Sequence, residues 1–351
     1  MDYFREIAKR NHRQVLFGND PESGLQTIIA IHDLTLGPAL GGCRMKTYLS
    51  TYEALVDALR LSRGMTYKAA AAGLDLGGGK SVIIGDPETQ KSEDLLRAFG
   101  RMVDGLNGQY ITAEDVGTTV PDMTIVREET EYVTGLPEDM GGSGDPSPVT
   151  ALGVFHGLRA ATEEVYGSDD LDGKSVAVQG LGKVGWHLAE HLVEAGAELI
   201  VADIREDVVE KAREELGAEV MAPDRIHAAE CDIFSPCALG AVINNQSIEE
   251  LKCRIVAGAA NNQLADEKVQ GPMLKLRDIL YAPDFVINAG GLINVSGELD
   301  PDGYDREKQL AATKRIYDSM KECFALAKER NVPTAEAAMI MAEERIEAAK
   351  R

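Results

Sequence analysis

Hydrophobic and polar positions follow two alternating periods along residues 1–140, which indicates strands and helices in succession. Residues 26–33 (QTIIAIHD) and 80–87 (KSVIIGDP) are short apolar runs that predict buried strands. Residues 51–73 repeat apolar side chains at helical spacing, and Ser50 with Glu53 three positions later is a capping-box start. Residues 92–106 (SEDLLRAFGRMVDGL) predict another amphipathic helix. This part of the chain is therefore expected to be an α/β domain.

A cluster of glycine, proline and serine at 140–148 (MGGSGDPSP) interrupts the pattern and is the best candidate for a linker. After a further predicted helix, strands alternate with helices, which is typical of a parallel sheet covered on both faces. The predicted strands are 175–179 (SVAVQ), 198–204 (ELIVADI), 231–236 (CDIFSP), 254–260 (RIVAGAA) and 284–291 (DFVINAGG). We expect one domain over 1–145 and a doubly wound one over 146–326, with helical residues 327–351 able to pack back on the first.

The turn after strand 175–179 carries the glycine pattern of a dinucleotide site. Gly180, Gly182 and Gly185 follow the strand directly and open a helix. In this motif the first glycine makes the tight turn, the second lets the backbone approach a pyrophosphate, and the third lets helix and strand pack closely. The helix N-terminus adds N–H groups and a positive dipole for the phosphates. A purely structural tight turn is the alternative.

An acidic residue at the end of the next strand supports the dinucleotide interpretation. Asp203 follows Gly182 by about 20 residues, the spacing of the carboxylate that accepts from the adenosine ribose 2′-hydroxyl. A carboxylate repels a 2′-phosphate, so NAD is favoured over NADP, although Arg205 nearby weakens that preference. Asn261 follows one predicted strand and Asn288 lies near the end of another, and both are candidates for ribose or carboxamide contacts. The alternative is that each amide binds its own loop.

Two lysines and an aspartate suggest chemistry in the first domain. Lys68 ends a predicted helix, and Lys80 lies between GLDLGGG and a buried strand, among small and apolar residues where lysine is rare. Two neighbouring, partly desolvated lysines would lower one pKa, and such a lysine can act as a general base. Asp115 follows a short strand and could stabilise an ammonium or relay protons. The alternatives are surface lysines and a turn-capping aspartate.

Composition and charge exclude several classes of protein. The 351 residues are 44% hydrophobic and 27% charged, as in ordinary globular proteins. The formal net charge of −22 disfavours nucleic acid and anionic membrane surfaces as partners. The sequence has no apolar run of 18 residues, so no membrane span is predicted, and no apolar segment near its start, so no signal peptide is predicted. A cytoplasmic location is therefore expected. Five widely spaced cysteines predict neither disulfides nor a zinc site, and no histidines besides His187 and His191 have metal-ligand spacing, so no metal is expected.

Several of these segments together resemble one family. LGGCRM (40–45), GMTYKAAAAGLDLGGGKSVIIGDP (64–87), ITAEDVGTT (111–119), GDPSPVTALGV (144–154), VQGLGKVG (178–185) and NAGGLINV (288–295) are similar, in order, to the glutamate/leucine/phenylalanine/valine dehydrogenase family. LDLGGGK and TAEDVGT are most similar to its leucine dehydrogenases. The resemblance implies two domains separated by a cleft, an N-terminal substrate and oligomerisation domain and a Rossmann domain. It also implies homo-oligomers, dimers at least and often octamers.

The resemblance further implies NAD-dependent oxidative deamination of an L-amino acid to a 2-oxo acid and ammonia. Lys80 would be the catalytic lysine that assists water attack on an imine, Asp115 would take part in proton transfer, and Lys68 would bind the substrate carboxylate. The implied substrate-pocket residues are Leu40, Gly41, Gly42, Met65, Ala113, Leu292 and Val295. The implied cofactor contacts are Gly180, Leu181, Gly182, Lys183, Val184, Gly185, Asp203, Arg205, Pro146, Ser147, Thr150, Cys237, Ala238, Ala259, Asn261 and Asn288.

Two apolar positions predict the substrate side chain. Positions matching Leu40 and Val295 are similar to a lysine and a serine in glutamate-specific relatives, and a substrate γ-carboxylate facing apolar residues here would lack a partner. Branched aliphatic substrates (leucine, valine, isoleucine) are therefore predicted, with aromatic amino acids as the alternative and a non-catalytic NAD-binding regulator as another. Cys43 and Asp145 depart from the threonine and asparagine expected in leucine dehydrogenases, which affects substrate ranking rather than reaction class.

Overall fold

The chain forms two compact units in a computed structural model that describes residues 3–238 and 240–350. The first unit comprises Met1–Asp145, Val295–Arg306 and Ala342–Arg351, and the second comprises Pro146–Asn294 and Glu307–Met341. The division after Asp145 falls inside the Gly/Pro/Ser segment 140–148. The chain therefore returns to the first unit twice after leaving it.

The secondary structure follows the α/β pattern expected from the sequence. The strands are β1 (Gln14–Asp20), β2 (Leu25–Asp33), β3 (Ala39–Leu40), β4 (Cys43–Lys46), β5 (Gly77–Ile84), β6 (Tyr110–Ile111), β7 (Ser175–Gln179), β8 (Glu198–Ala202), β9 (Glu219–Val220), β10 (Ile233–Pro236), β11 (Ile255–Val256) and β12 (Leu280–Tyr281). The helices are α1 (Tyr3–Lys9), α2 (Thr51–Ala71), α3 (Glu93–Asp104), α4 (Val120–Arg127), α5 (Ser147–Tyr166), α6 (Lys183–Glu194), α7 (Glu206–Leu216), α8 (Ser247–Glu250), α9 (Glu267–Leu276), α10 (Asp284–Ile287), α11 (Gly290–Ser296), α12 (Arg306–Thr313), α13 (Arg315–Arg330) and α14 (Thr334–Ala349).

The first unit is built on a mixed sheet with β5 at its centre. Its order is β1-β2-β5-β3-β6, and β4 also pairs with β5. β2 runs antiparallel to both of its neighbours, β1 and β5, whereas β3 and β4 run parallel to β5 and β6 runs parallel to β3. Helix α2 begins at the predicted cap, because the Ser50 hydroxyl accepts from the N–H of Glu53 at 3.2 Å. The main core lies between the sheet and α3, around Phe99, Tyr110 and Met123.

The second unit is a wholly parallel sheet of the doubly wound kind. Its order is β12-β11-β10-β7-β8-β9, and every neighbouring pair runs parallel. The order reverses direction at β7, since β8 lies on one side of it and β10 on the other. In such sheets ligands bind beyond the carboxyl ends of the strands at this reversal. The α/β class expected from the sequence is confirmed.

One predicted strand is wrong. Residues 284–291 (DFVINAGG) form α10 and the start of α11, and the last strand of the sheet is instead β12, just before Pro283. Val286 and Ile287 are both buried, so this short apolar run shows no alternation, and apolarity alone does not separate a buried strand from a buried helix. Asn288 is therefore the C-terminal cap of α10 rather than the end of a strand.

The C-terminal helices divide between the units. Ala342 and Ile346 of α14 pack with Ala70 of α2 and so belong to the first unit. Ala335, at the other end of α14, packs in the core of the second unit with Tyr281. Only residues 342–351, rather than all of 327–351, group with the first unit, and residues 295–306 join them there.

Within residues 3–238 and 240–350, no helix combines the length and apolarity needed to cross a membrane.

Two buried histidines lie between the sheet of the first unit and α2. His12 contacts the Ser62 hydroxyl at 2.9 Å and His32 contacts the Thr66 hydroxyl at 2.8 Å, with their rings 4.8 Å apart. Burial lowers the pKa of each histidine from 6.5 to about 4. Both rings are therefore neutral in the folded protein at neutral pH.

These histidines are expected to make the fold sensitive to acid. Between pH 6.5 and 4 the unfolded chain binds a proton that the folded chain does not, so the free energy of unfolding falls as pH falls, by about 1.4 kcal/mol per pH unit for each histidine. Denaturant titrations across this range at fixed protein concentration measure the slope. His32→Gln should make the slope shallower, because one of the two buried imidazoles no longer takes up a proton on unfolding. Equal slopes in His32→Gln and the wild type would contradict this.

Candidate active site

Lys80 lies inside the central strand of the first unit. It belongs to β5, which begins at Gly77, so the strand starts three residues earlier than predicted and Lys80 is not at its edge. Its residue is 5% exposed, although lysine is normally a surface residue. The preceding glycines allow close packing, since a Cβ on Gly78 would meet the backbone nitrogen of Thr66 at 2.1 Å and one on Gly79 would meet the Tyr110 ring at 2.5 Å.

The start of β4 lies between the segments of Lys80 and Asp115 and brings them together. Cys43 of β4 pairs with Ser81 on one side and with Glu114 on the other. Because these registers are parallel, the residues adjoining each pair are also neighbours. The Lys80 ammonium lies 3.1 Å from the Asp115 carboxylate. The structure thus brings together two residues that are 35 positions apart in the sequence.

Arg44 completes a chain of alternating charges that sequence reasoning missed. Its Nε donates to Asp115 at 2.8 Å, and its Nη1 donates to Asp57 at 3.2 Å. The Tyr48 hydroxyl donates to the same Asp57 carboxylate at 2.9 Å. Arg44 lies within LGGCRM, and the alternation of Cys43–Lys46 places it on the face opposite Cys43. That alternation was the available signal, but the partners of Arg44 depend on register across the sheet.

Burial and charge shift the pKa of both central groups downward. Burial lowers the pKa of Lys80, the Arg44 guanidinium adds to the lowering, and Asp115 opposes it. Burial acts to raise the pKa of Asp115, but the cations of Lys80 and Arg44 outweigh it and hold that pKa below its usual range. The lowered lysine pKa that the sequence predicted thus has burial and Arg44 as causes. An amine with a lowered pKa next to a firmly ionised carboxylate is suited to general acid–base chemistry.

The turn that carries Asp115 is fixed by its neighbours. The N–H of Asp115 donates to the Thr118 hydroxyl at 2.9 Å, and that hydroxyl donates to the carbonyl of Cys43 at 2.8 Å. Gly117 has φ +82°, and a Cβ there would meet the Met45 carbonyl oxygen at 1.9 Å. Two residues of β4, Cys43 and Met45, therefore contact this turn and fix the position of the Asp115 backbone. Cys43 itself is fully buried, and burial raises the pKa of its thiol to about 12, so it is a neutral core residue.

Lys68 lies on a helix packed against the strand of Lys80. It is half-buried in the last turn of α2, two residues after Thr66, which touches Gly78. The structure therefore brings the segments of Lys68 and Lys80 together. The direct ionic partner of Lys80 is Asp115.

The predicted pocket residues differ in exposure. Leu40 is 2% exposed on β3 beside Gly78, and Gly41 is buried, with the carbonyl oxygen of Gly79 only 1.7 Å from where its Cβ would be. A Cβ on Gly42 would likewise lie 2.4 Å from the carbonyl oxygen of Glu114. Both glycines are thus required by strand packing. The remaining predicted residues are half-buried: Met65, Ala113 and Val295 in the first unit and Leu292 in the second.

In the second unit, the glycine turn has the geometry that its sequence predicts. Gly180 has φ +94°, and Gly185 lies so close to the strand that a Cβ would meet the Gly180 carbonyl oxygen at 2.0 Å. Gly182 caps α6 with no side-chain hydrogen bond, and nothing lies within 4 Å of its Cβ position. Open space therefore adjoins the backbone at Gly182, directly before the first residues of α6 (Lys183, Val184). This arrangement fits a pyrophosphate, which needs donors and close backbone approach.

Asp203 is tied to this turn. Its carboxylate accepts from the N–H of Leu181 at 2.7 Å and from the N–H of Arg205 at 2.9 Å. Burial acts to raise the pKa of Asp203, but these hydrogen bonds and the Arg205 guanidinium hold it below its usual range. Arg205 also donates to the Leu181 carbonyl at 2.9 Å. An open depression beside them is lined by Asp203, Glu206, Val209, Glu210, Val220 and Met221. Its acidic lining is unfavourable for a 2′-phosphate.

The other predicted cofactor residues gather at the same end of the parallel sheet. The side-chain amide of Asn288 donates to Asn261 Oδ1 at 2.8 Å and to the Ala259 carbonyl at 3.0 Å, while its own buried Oδ1 has no protein partner. Cys237 and Ala238 follow β10, and Ala238 packs against Gly180. Pro146, Ser147 and Thr150 start α5, where Thr150 approaches Gly291. The orphaned amide oxygen and the open turn fit a polar dinucleotide.

Comparison with family models covers nearly the whole chain. Residues 12–132 match the model described as Glu/Leu/Phe/Val dehydrogenase, dimerisation domain. Residues 141–212 and 201–351 match the model described as Glutamate/Leucine/Phenylalanine/Valine dehydrogenase. The second match begins at residue 141, close to Asp145, where the two compact units divide.

Individual proteins are similar over their full length. A leucine dehydrogenase of Geobacillus stearothermophilus is 57% identical over 351 residues, which is 100% of this chain and 95% of that protein. A phenylalanine dehydrogenase of Lysinibacillus sphaericus is 51% identical over 99% of this chain and 91% of that protein. The crystal structure of an L-tryptophan dehydrogenase from Nostoc punctiforme has a TM-score of 0.89 and 48% identity, covering 99% of each chain.

Proposed function

Because the chain belongs to the Glu/Leu/Phe/Val dehydrogenase family, we propose that it catalyses NAD-dependent oxidative deamination of branched aliphatic L-amino acids. In this reaction the amino acid, NAD⁺ and water give the 2-oxo acid, ammonium and NADH, with release of a proton. The observation that carries the proposal is the pair of buried Lys80 and half-buried Asp115, which joins a lowered-pKa amine to an ionised carboxylate. The similarity to leucine dehydrogenases supports the substrate class.

Lys80 is proposed as the group that handles protons during imine hydrolysis. A neutral Lys80 amine accepts a proton from water as its oxygen attacks the imine carbon, and Asp115 stabilises the ammonium that forms. Asp115, in turn, accepts a hydrogen bond from Arg44 Nε, so its charge stays in place throughout. Lys68 is proposed to pair with the substrate carboxylate. Such fixed charges stabilise the transition state because they need no reorganisation during the reaction.

The second unit is proposed to hold NAD. When bound, the nicotinamide supplies the hydride acceptor. The N–H groups at the start of α6 would bind the pyrophosphate, and Asp203 would accept from the adenosine ribose. Asn261 and Asn288 would contact the remaining polar groups. The carboxylates of Asp203, Glu206 and Glu210 in the neighbouring depression support NAD over NADP, since each would repel a 2′-phosphate.

Apolar residues support an aliphatic substrate. Leu40 and Val295 offer no hydrogen-bond donor or cation, so a γ-carboxylate beside them would be left without a partner. An aromatic amino acid is the second candidate, because the similar proteins include a phenylalanine dehydrogenase and an L-tryptophan dehydrogenase.

Self-association is proposed as well, with a dimer as the minimum. The family model over residues 12–132 is described as a dimerisation domain. In this chain β1 is an edge strand, and Phe17 on it is 46% exposed and stacks on Tyr3. Phe4 nearby is 84% exposed. An exposed edge strand with aromatic side chains is a typical surface for pairing with another chain.

A substrate panel tests the proposed function. NADH formation is measured at alkaline pH with leucine, valine, isoleucine, phenylalanine, tryptophan and glutamate, and leucine is repeated with NADP. We expect leucine to exceed glutamate in kcat/KM by at least about 100-fold, because a buried charge without a partner costs several kcal/mol. NAD should exceed NADP. A panel led by phenylalanine or tryptophan would favour the second candidate, and one led by glutamate would contradict the proposal.

A further inference from the structure

A carboxylate outside the Lys80–Asp115 pair gathers hydrogen-bond donors from a single loop. Glu298 lies in the segment Val295–Arg306, which belongs to the first unit. Its two oxygens accept from the N–H of Gly135 at 3.1 Å each, from that of Leu136 at 3.4 Å and from that of Ser143 at 2.8 Å. The Ser143 hydroxyl donates to it as well. Because these groups are all donors, the position suits an ionised carboxylate, which only accepts.

The loop from Gly135 to Gly144 is shaped to turn its amides toward this carboxylate. Gly135, Gly141 and Gly144 have φ values of +75°, +80° and +66°, which side chains other than glycine rarely adopt. A Cβ on Gly142 would meet the Leu136 carbonyl oxygen at 2.0 Å. The backbone thus folds back on itself and presents amides from both of its ends to one acceptor. Successive inward N–H groups of this kind form an anion-binding concavity, here filled by the protein's own glutamate.

Glu298 and the loop that binds it each adjoin a residue of the proposed substrate pocket. Gly135 abuts the Asp115 turn, since its Cβ position lies 3.8 Å from the Glu114 nitrogen and 4.0 Å from the Ala113 Cβ. Glu298 follows Val295 by three residues, in a 3-10 turn (Gly297–Leu299) that continues directly from α11. One carboxylate therefore connects the segment of Val295 with the segment of Ala113.

We infer that Glu298 is a positioning residue for substrate selectivity. It touches no reacting group, and it acts by fixing the distance between the backbone that carries Val295 and the backbone that carries Ala113. A pocket distinguishes aliphatic substrates that differ by one methylene by only about 10–200-fold. Because this difference is small, selectivity is lost when the distance between the residues lining the pocket is no longer fixed. This inference rests on the proposed function, which assigns those two residues to the pocket.

The inference is tested with Glu298→Gln. Glutamine has nearly the same size as glutamate, but its NH₂ group is itself a donor and cannot accept from the N–H groups of Gly135, Leu136 and Ser143. We expect the KM for leucine to rise by about tenfold or more while kcat stays within about threefold, the signature of lost substrate binding rather than lost chemistry. The ratio of kcat/KM for leucine to that for valine should move toward one. Amide hydrogen exchange of the enzyme without ligands should show loss of protection at Gly135, Leu136 and Ser143, with protection elsewhere retained.

Two further variants keep the test decisive. Ser143→Ala removes one donor and leaves the backbone amides in place, so it should fold and shift the leucine KM in the same direction by a smaller factor. Asp302→Asn neutralises an exposed carboxylate in the same segment and should behave like the wild type. If Glu298→Gln does not fold, the Ser143→Ala result decides.

Wild-type selectivity in Glu298→Gln, or in Ser143→Ala if the first variant does not fold, would overturn the inference. So would an equal loss of kcat for every substrate together with general loss of amide protection, because that pattern belongs to a merely structural role. Failure of the proposed function is a separate result, in which the wild type itself forms no NADH from any amino acid. The exchange measurement still reports on the loop in that case.

Discussion

Lys80→Ala is expected to lower kcat for leucine oxidation by about 100-fold or more, the usual effect of removing a general base. The physical reason is that no other amine can replace it, because Lys80 is the lysine that contacts Asp115 and lies buried on the central strand. The loss should appear in single-turnover NADH formation, so that it reports chemistry rather than product release. Added primary amines should restore part of the rate, since the vacated volume can hold a small base.

Controls separate this effect from damage to the fold. Binding of NADH should be unchanged, and it can be followed by energy transfer from Trp186, the one tryptophan in the sequence, which lies on the helix after the glycine turn. Lys252→Ala removes an exposed lysine whose partner Glu230 lies 3.0 Å away, and it should retain full activity. Near-normal single-turnover rates in Lys80→Ala would remove this lysine from the mechanism.

Asp115→Asn is expected to lower kcat by a comparable factor and also to change its pH dependence. Asp115 raises the pKa of Lys80, against the effect of burial and Arg44. Without the carboxylate the pKa of Lys80 falls further, so the amine becomes neutral at lower pH. The rising acid limb of the kcat/KM profile therefore moves to lower pH, while the maximum rate drops by about 100-fold because proton transfer loses its charged partner.

The pH profile distinguishes this role from a structural one. A variant that is only destabilised lowers the maximum of the kcat/KM profile without shifting its acid limb along the pH axis. Asp75→Asn removes a surface carboxylate that pairs with Arg345 at 2.8 Å, and it should leave both amplitude and limb unchanged. A limb that moves to higher pH in Asp115→Asn, or does not move, is incompatible with coupling between Asp115 and Lys80.

Local patterns predicted the parts of the fold that local interactions determine. The capped helix α2 and the succession of β7, glycine turn and α6 depend on residues within a few positions of one another. The apolar run at 284–291 was misassigned because buried strands and buried helices have the same composition over four to eight residues.

The candidate site shows the same limit. Lys80 and Asp115 are unusual in their local surroundings, so the sequence singled them out, but their contact depends on β4 lying between Ser81 and Glu114. Arg44 was missed because the alternation along β4 indicates its face but not its partners, and Glu298 was missed because nothing near it in the chain marks it. Asp115 is 71 residues from Arg44, and the partners of Glu298 are at least 155 residues from it. Such pairs arise from strand register and from the return of the chain to the first unit, which a single sequence does not display.

The proposed reaction moves hydride from an amino acid to NAD and releases ammonia. The most direct measurement uses L-leucine deuterated at Cα, with reduced cofactor, 2-oxo acid and ammonia quantified together. We predict one deuterium in the reduced cofactor for each ammonia and each 2-oxo acid formed. Cofactor that binds but is not reduced by leucine or by any other amino acid would contradict the proposal.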